Sequence, residues 1–273
     1  MDTRYLRTLL EVVDGGSLAE AARRQNLTAA AVGQRLKALE NELGARLVCR
    51  SGSTVRPTAE CIRMIPRLRA IIADIASLPS DIADDGLAGP FRLGMISTAL
   101  SDHGPSLVEH LRNIAPNVEM SITPGSSAYL FEQLSSSELD AAILVEPSFA
   151  IPKSMTTRVL ERQPYGWVTP RDLESDDMPL IVYDRTSWGG QIAWRWIEQN
   201  LETPKVLCEL DAPETVANMV AGGAGRAILP IWGSLSKVAD LEIKAIRALP
   251  KRSLFFVYRG SPIGQACDQF FER

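Results

Sequence analysis

Gly15-Gly-Ser-Leu-Ala-Glu-Ala-Ala-Arg-Arg-Gln-Asn-Leu-Thr-Ala-Ala-Ala-Val-Gly-Gln-Arg-Leu-Lys-Ala-Leu-Glu-Asn-Glu-Leu-Gly44 reads as two helices joined by a tight turn. Ser17 with Glu20 three residues on has the form of a capping box, the hydroxyl accepting from a first-turn amide while the carboxylate reaches back. A helix therefore starts near Leu18, and Leu18, Ala21 and Ala22 give it a narrow apolar face for close packing. Gln25-Asn26-Leu27 breaks it, and Thr28 is the next N-cap. Val32, Leu36, Leu39 and Leu43 then recur at steps of four, three and four, one stripe of a second helix.

The opposite side of that second helix is polar and small. At about 100° per residue, Ala30, Gln34, Lys37 and Asn41 lie opposite the leucine seam, with Arg35 on its flank. A short capped helix, a turn and a second helix with a small, basic outer face fit the helix-turn-helix geometry, whose second helix enters the major groove. The candidate DNA-facing set is Thr28, Ala30, Gly33, Gln34, Arg35 and Lys37. A helical hairpin with a solvated outer face would use the same residues.

Gly16-Ser17-Leu18, Ala21-Ala22, Leu27-Thr28, Ala31-Val32, Leu39-Glu40, Leu43-Gly44, Leu47 and Arg50 together resemble the N-terminal signature of the LysR-type transcriptional regulators, in one ungapped register over about sixty residues. The resemblance implies a DNA-binding regulator that works with the transcription machinery. It also implies a homodimer or a homotetramer built as a dimer of dimers. This chain departs from that family where Ala29-Ala30 stand in place of Gln-Pro or Gln-Ser, and where Gly33 replaces Ser. These are positions that commonly face DNA, so the family's base contacts do not transfer there.

The 273 residues allow two or three domains. An apolar fraction of 45% with 23% charged residues is that of an ordinary globular protein. No apolar run is long enough to span a bilayer and Met1-Asp-Thr-Arg-Tyr lacks a signal-peptide core, so the expected compartment is the cytoplasm, with no membrane partner. Cys49, Cys61, Cys208 and Cys267 lack metal-ligand spacing and read as free thiols. His103 and His110 have no cysteine nearby, and neither metal nor cofactor is expected. Residues 1–78 carry 12 Lys and Arg against 8 Asp and Glu, net +4, which leaves −8 for the remainder of a chain whose total is −4. A basic head on an acidic body suits a chain that meets phosphates at one end.

Working outward, a first helix from Thr3 to about Val13 carries Leu6, Leu9, Leu10 and Val13 on one face and completes a three-helix core. After Gly44, 46–50 and 55–58 read as a small hairpin turning at Ser51-Gly52, a candidate wing. Arg50 and Arg56 flank it, where guanidinium groups can hold phosphates or merely solvate the ribbon. From Thr58 to about Ile82 a helix carries Ile65, Leu68, Ile72 and Ile75 at heptad-like steps, widened by Ile71 and Leu78. A single stripe on an otherwise isolated helix needs a partner, so this is read as a dimerisation helix, kinked at Pro66 and ended at Pro79. The Gly, Asp and Pro content of 80–90 reads as a hinge.

Beyond Phe91, short strands alternate with helices, the pattern of an α/β sheet. Strands are expected at 91–96, 118–122 and 141–145. A helix holding Leu107, Val108, Leu111 and Ile114 and another holding Leu130 and Leu134 separate them. A second unit has strands near 165–168, 180–183, 206–210 and 227–229, with helices near 192–200 and 213–221. Strand 254–258 and a helix near 265–271 lead back to the first unit. Arg92-Leu-Gly94, Pro116-Asn-Val118, Glu138-Leu-Asp-Ala-Ala-Ile143 and 219–230 also resemble the LysR effector-binding domain, which is similar to periplasmic solute-binding proteins. The fold class is thus α/β with an all-α, winged-helix N-terminal domain and a two-lobed periplasmic-binding-protein-like effector domain. The expected divisions are 1–58 for the winged helix-turn-helix (the motif itself about 17–43), 59–89 for the linker, and 90–273 for the effector domain. Within the last, lobe I is expected at about 90–162 and 259–273, and lobe II at about 163–258.

Ligands in open α/β sheets lie beyond the carboxyl ends of the strands. That selects Ser97 and Thr98, Ser126 and Ser127, Glu146, and Arg185 with Ser187. Several precede helices whose free amides favour anions, so a small carboxylate-bearing metabolite is the expected effector. Trp188 and Trp232 could wall an apolar moiety or belong to the core. Gly222-Gly223-Ala-Gly225 lacks the Lys and Ser/Thr of a phosphate loop and reads as a turn. Two rivals remain: a solute-binding or oligomeric module without sequence-specific DNA binding, and an enzyme. No Gly-x-Ser-x-Gly elbow, His-Glu-x-x-His run or dinucleotide fingerprint favours the enzyme.

Overall fold

The computed structural model describes residues 1–51, 54–171 and 177–272, and the side chains of all of these but Arg50 and Ser51. The chain divides into two compact units, one of Met1–Leu78 with Ser136–Glu138, the other of Pro79–Ser135 with Leu139–Arg273.

The first unit opens with α1 (Thr3–Gly15), α2 (Leu18–Arg24) and α3 (Ala29–Leu43). Asp2 caps α1 by accepting from Arg4 N, Ser17 caps α2 by accepting from Glu20 N at 3.1 Å, and Thr28 caps α3 by accepting from Ala31 N at 3.1 Å. Only half of the expected capping box forms. The Glu20 carboxylate turns outward to Arg24 at 3.1 Å and to Arg23, because two guanidiniums on the next turn compete with the backbone amide. Gly16 and Gly44 end α1 and α3 in the left-handed conformation, at φ 64° and 66°. Leu6, Leu9, Val32, Leu36 and Leu39 interdigitate with Ala21 and Ala22 in one buried cluster.

Strands β1 (Val48–Ser51) and β2 (Thr54–Pro57) pair antiparallel, Arg50 opposite Val55. Ser51 is still in the strand, and Gly52, on which the expected turn falls, lies outside the described residues. Helix α4 runs unbroken over Ala59–Ile82. Pro79 does not end it: Ala83 N still donates to Pro79 O at 3.1 Å, so the proline sits near the C-terminal end of the turn pattern without stopping it. Nor is the first half of α4 isolated, since Cys61, Met64, Ile65, Leu68, Ile71 and Ile72 all pack on the head's core. Ile62, Leu78 and Ile82 remain exposed.

The second unit contains β3 (Ala88–Met95), α5 (Ser97–Ile114), β4 (Asn117–Pro124), α6 (Ser127–Ser135), β5 (Ala141–Val145) and β6 (Met155–Gln163). It continues through β7 (Tyr165–Pro170), β8 (Leu180–Tyr183), α7 (Gly190–Asn200), β9 (Val206–Leu210), α8 (Pro213–Ala221) and β10 (Ala227–Pro230). A 3-10 turn (Gly233–Lys237), β11 (Leu241–Ala245), β12 (Arg252–Arg259) and α9 (Pro262–Phe270) complete it. Lobe I is a five-stranded sheet in the order β4-β3-β5-β12-β6, with β3 parallel to β4 and β5 and with β12 antiparallel to β5 and β6. Its core joins Leu93, Met95, the wholly buried β5, Leu107, Leu130 and Phe256. Lobe II holds the antiparallel sheet β10-β7-β11 and the parallel pair β8-β9. The chain crosses from lobe I to lobe II at Pro164 and returns over 246–251.

Three expectations change here. The whole of β12 belongs to lobe I, so the return begins at about 252 and not 259: Phe255 and Val257 pair with β5. Strand β6 escapes the sequence pattern because both its faces carry polar residues, whereas β11, Leu-Glu-Ile-Lys-Ala, alternates cleanly and is simply not among the expected strands. In α5, Val108 and Ile114 are 38% exposed, so only the Leu107–Leu111 side carries that helix's packing. Among the described residues, no helix is long and apolar enough to cross a membrane.

Candidate nucleic-acid interface and ligand cleft

Because Val32, Leu36 and Leu39 are buried, the rest of α3 is forced outward: Thr28, Ala30, Gln34 and Lys37 are exposed and Gly33 is half-buried. Ala29, Ala30, Gly33, Gln34 and Lys37 line a shallow concavity with Leu18. Missing side-chain bulk at Ala30 and Gly33 is what leaves it concave. Arg35 does something else. Its Nη1 donates to Gln25 Oε1 at 3.1 Å and to Thr8 Oγ1 at 3.2 Å, and Thr8 itself donates to Gln25 at 2.8 Å. This brace ties α1, the end of α2 and α3 together around a fully buried Thr8. Sequence reasoning missed Thr8 and Gln25, since a lone Thr among leucines gives no periodic signal. Glu40 Oε1 accepts from Leu47 N at 2.8 Å and Val48 N at 3.3 Å, pinning the β-ribbon to α3. Arg56 is exposed on β2, while the side chain of Arg50 lies outside the described residues.

In the second unit a cleft of 270 Å³ opens between the lobes. Five of the expected ligand contacts line it: Ser97 and Thr98 at the start of α5, Ser126 and Ser127 at the start of α6, and Ser187 in lobe II. Trp188 joins them. The helix starts bring free amides and positive dipole ends to one place, a setting for an anion. Three expected contacts lie elsewhere. Arg185 pairs with Glu209 at 2.9 Å and stacks 3.9 Å from the Trp194 ring centroid. Trp232 is 3% exposed in the lobe II core, its indole donating to Ser234 Oγ at 3.0 Å. Glu146 is exposed past the end of β5 and absent from the cleft wall.

Tyr183, Asp211, Pro213 and Arg252 also line the cleft, and sequence reasoning passed over all four. Arg252 is 1% exposed on β12; its Nε donates to Gln163 Oε1 at 2.7 Å and its Nη2 to Thr98 Oγ1 at 2.9 Å. Across the lobes, Ser97 Oγ donates to Glu214 Oε2 at 2.8 Å, and Asp102 accepts from Gly233 N and Ser234 N at 2.8 Å each. Trp188 meets Phe149 edge-on at 5.6 Å and Phe131 at 6.1 Å, an aromatic contact between the lobes.

Burial and then the Asp184 carboxylate push the Asp211 carboxyl above its ordinary 3.8, with Arg252 pulling the other way and Glu214 adding to the rise. A carboxyl with a raised folded pKa binds its proton more readily folded than unfolded. Its ionisation costs stability progressively as pH rises from the ordinary pKa to the raised folded one; the loss is complete above the latter and absent below the former. Asp211→Asn is therefore expected to raise the melting temperature at neutral pH, with the gain disappearing in acid. A series of thermal melts checks this, and a gain independent of pH would rule out the ionisation argument. Burial raises the Tyr183 hydroxyl's pKa too, and pushes the Cys267 thiol up to about 12, which leaves Cys267 a packing residue.

Comparison with known proteins fits both halves. Residues 3–61 match the model of the bacterial regulatory helix-turn-helix protein of the lysR family, and residues 84–273 match that of the LysR substrate binding domain. The chain belongs to the LysR family of transcriptional regulators. It is 25% identical over 260 residues to the HTH-type transcriptional regulator IlvR of Caulobacter vibrioides, covering 90% of this chain and 87% of that one. With the HTH-type transcriptional activator IlvY of Salmonella typhimurium it shares 25% over 244 residues, 84% of this chain and 82% of that one. Among solved structures, a full-length OxyR variant from Pseudomonas aeruginosa superposes with a TM-score of 0.71 at 22% identity, covering 99% of this chain and 93% of that one. Full-length CbnR in complex with its target DNA gives 0.66 at 17%, covering 99% and 98%. The LysR-type regulator thus has a helix-turn-helix head and a two-lobed α/β effector-binding domain, and the reading as a binding module without DNA recognition is not favoured.

Proposed function

We propose that this LysR-type regulator binds promoter DNA through Thr28, Ala30, Gly33, Gln34 and Lys37 of α3, with Arg50 and Arg56 of the ribbon holding phosphates. A small carboxylate-bearing effector in the interlobe cleft, against Ser97, Thr98, Ser126, Ser127 and Ser187, shifts the lobes. That alters how paired heads are spaced on an inverted repeat. Such a switch needs the effector to bind one lobe arrangement better than the other. The protein acts in the cytoplasm as a homodimer or homotetramer and catalyses no reaction. The observation that carries the reading is an exposed, small and basic α3 face held out by a buried leucine seam.

Binding of operator and random duplexes, titrated across salt, tests it. Gln34→Ala is expected to lower the preference for operator over random DNA by about 1–3 kcal/mol, with little change in salt dependence. Arg50→Ala is expected to weaken binding to both and to reduce the salt slope by about one. An unchanged salt slope in Arg50→Ala would remove the ribbon from the interface, and unchanged preference in Gln34→Ala would remove α3.

A further inference from the structure

Two oppositely charged groups, Arg252 in the cleft wall and the half-buried Glu214 next to Pro213 of that wall, each keep one buried atom without a partner. Arg252 is 1% exposed, and with Nε and Nη2 committed to Gln163 and Thr98, its Nη1 has no acceptor. Among the described residues no carboxylate lies within ion-pair distance of it. Glu214 accepts from Ser97 with Oε2, and its buried Oε1 has no donor. A guanidinium taken out of water with Asp211 near enough to feel its charge but not paired with it is costly, and so is a carboxylate oxygen without a donor. Their anchors, Thr98 and Ser97, are consecutive residues at the start of α5, so the cation of lobe I and the anion of lobe II are fixed side by side.

We propose that the cleft selects a zwitterion, an α-amino acid with an uncharged side chain. The carboxylate completes Arg252 Nη1 at the α5 and α6 helix starts, and the ammonium donates to Glu214 Oε1 on the opposite lobe. One small molecule then satisfies both lobes at once, which is what gives it a differential affinity for the closed arrangement. A dicarboxylate would set its second charge against Glu214 and the neighbouring Asp211. The apolar wall of Ile96, Pro124 and Trp188 suits an uncharged side chain. This inference rests on the cleft being the effector site.

Calorimetric titration of the full-length chain with L-valine, L-leucine, L-phenylalanine and L-serine, each beside its 2-oxo acid and its carboxamide, with succinate added, tests it. At least one amino acid is expected to bind, at least about tenfold more tightly than either truncated analogue, because each truncation leaves a buried charge unpaired. Glu214→Gln should weaken that amino acid about tenfold while leaving its 2-oxo acid unchanged. Arg252→Gln, checked for an intact melt, should weaken every carboxylate. A 2-oxo acid or succinate binding as tightly as the amino acids, and lost in Arg252→Gln, would overturn the zwitterion and leave the cleft as the effector site. Indifference of the amino acid to Glu214→Gln would overturn it as well. Binding by no probe would overturn both.

Discussion

Leu39→Ala is expected to destabilise the N-terminal head by about 2–5 kcal/mol and to abolish operator binding, although Leu39 faces away from any DNA. Leu39 is fully buried, in one cluster with Leu6, Leu9, Val32 and Leu36. Removing three carbons leaves a cavity that α1, α2 and α3 cannot close without moving the α3 face. For a unit of this size the loss is a large part of a total stability of about 5–15 kcal/mol. All five tryptophans lie between Trp167 and Trp232, so indole fluorescence reports the effector domain and not the head. Urea titration followed by far-ultraviolet circular dichroism should show helical signal lost early in Leu39→Ala, while the indole transition stays in place. Leu39→Met, which conserves volume, should cost less than about 1.5 kcal/mol and keep binding. Wild-type operator affinity in Leu39→Ala would mean that the seam is not what holds α3 in place.

That seam was legible because its signals are local and periodic. Caps at Ser17 and Thr28 and leucines at helical spacing agree, and the structure realises both hydroxyl caps and buries the seam, with only the Glu20 half of the capping box lost. The cleft was half legible. Strand ends followed by Ser or Thr located Ser97, Thr98, Ser126, Ser127 and Ser187. The charged groups that give the cleft its chemistry did not show themselves. Arg252 starts a strand 154 positions after Thr98, to which it bonds, and no pattern read within a window of residues can join the two. Arg185 misled for the same reason: it follows a strand, as the rule asks, but Glu209 from the neighbouring strand has already claimed it. In β6 both faces carry polar groups, so the two-residue period that marks a strand is blurred; β11 keeps that period, Leu241, Ile243 and Ala245 against Glu242 and Lys244, over only five residues.

Gly190→Ala is expected to cost at least about 3 kcal/mol, the upper end of the overpacking range, and to destroy ligand binding in the cleft. A Cβ at Gly190 would stand 1.8 Å from Asp184 O and 2.7 Å from Tyr183 O. Both are backbone atoms, so no rotamer change relieves the clash. Relief requires the turn from Tyr183 to Gly189 to move away from the start of α7. That turn is held by Ser187, which donates to Asp184 O at 2.8 Å and accepts from Gly190 N at 3.0 Å. It also carries Tyr183, Ser187 and Trp188 to the cleft wall, and its Gly189 O accepts from the buried Tyr165 hydroxyl at 2.6 Å. The same shift would therefore part Trp188 from Phe131 and Phe149, changing the indole emission of the folded protein as well as its melting point. Gly222→Ala serves as the control, because its φ is −74° and a Cβ there meets nothing closer than 3.5 Å. It should leave stability, emission and ligand binding as they are. If Gly190→Ala melted with the wild type and kept its emission, the tight Asp184–Gly190 approach could not be what shapes lobe II's side of the cleft.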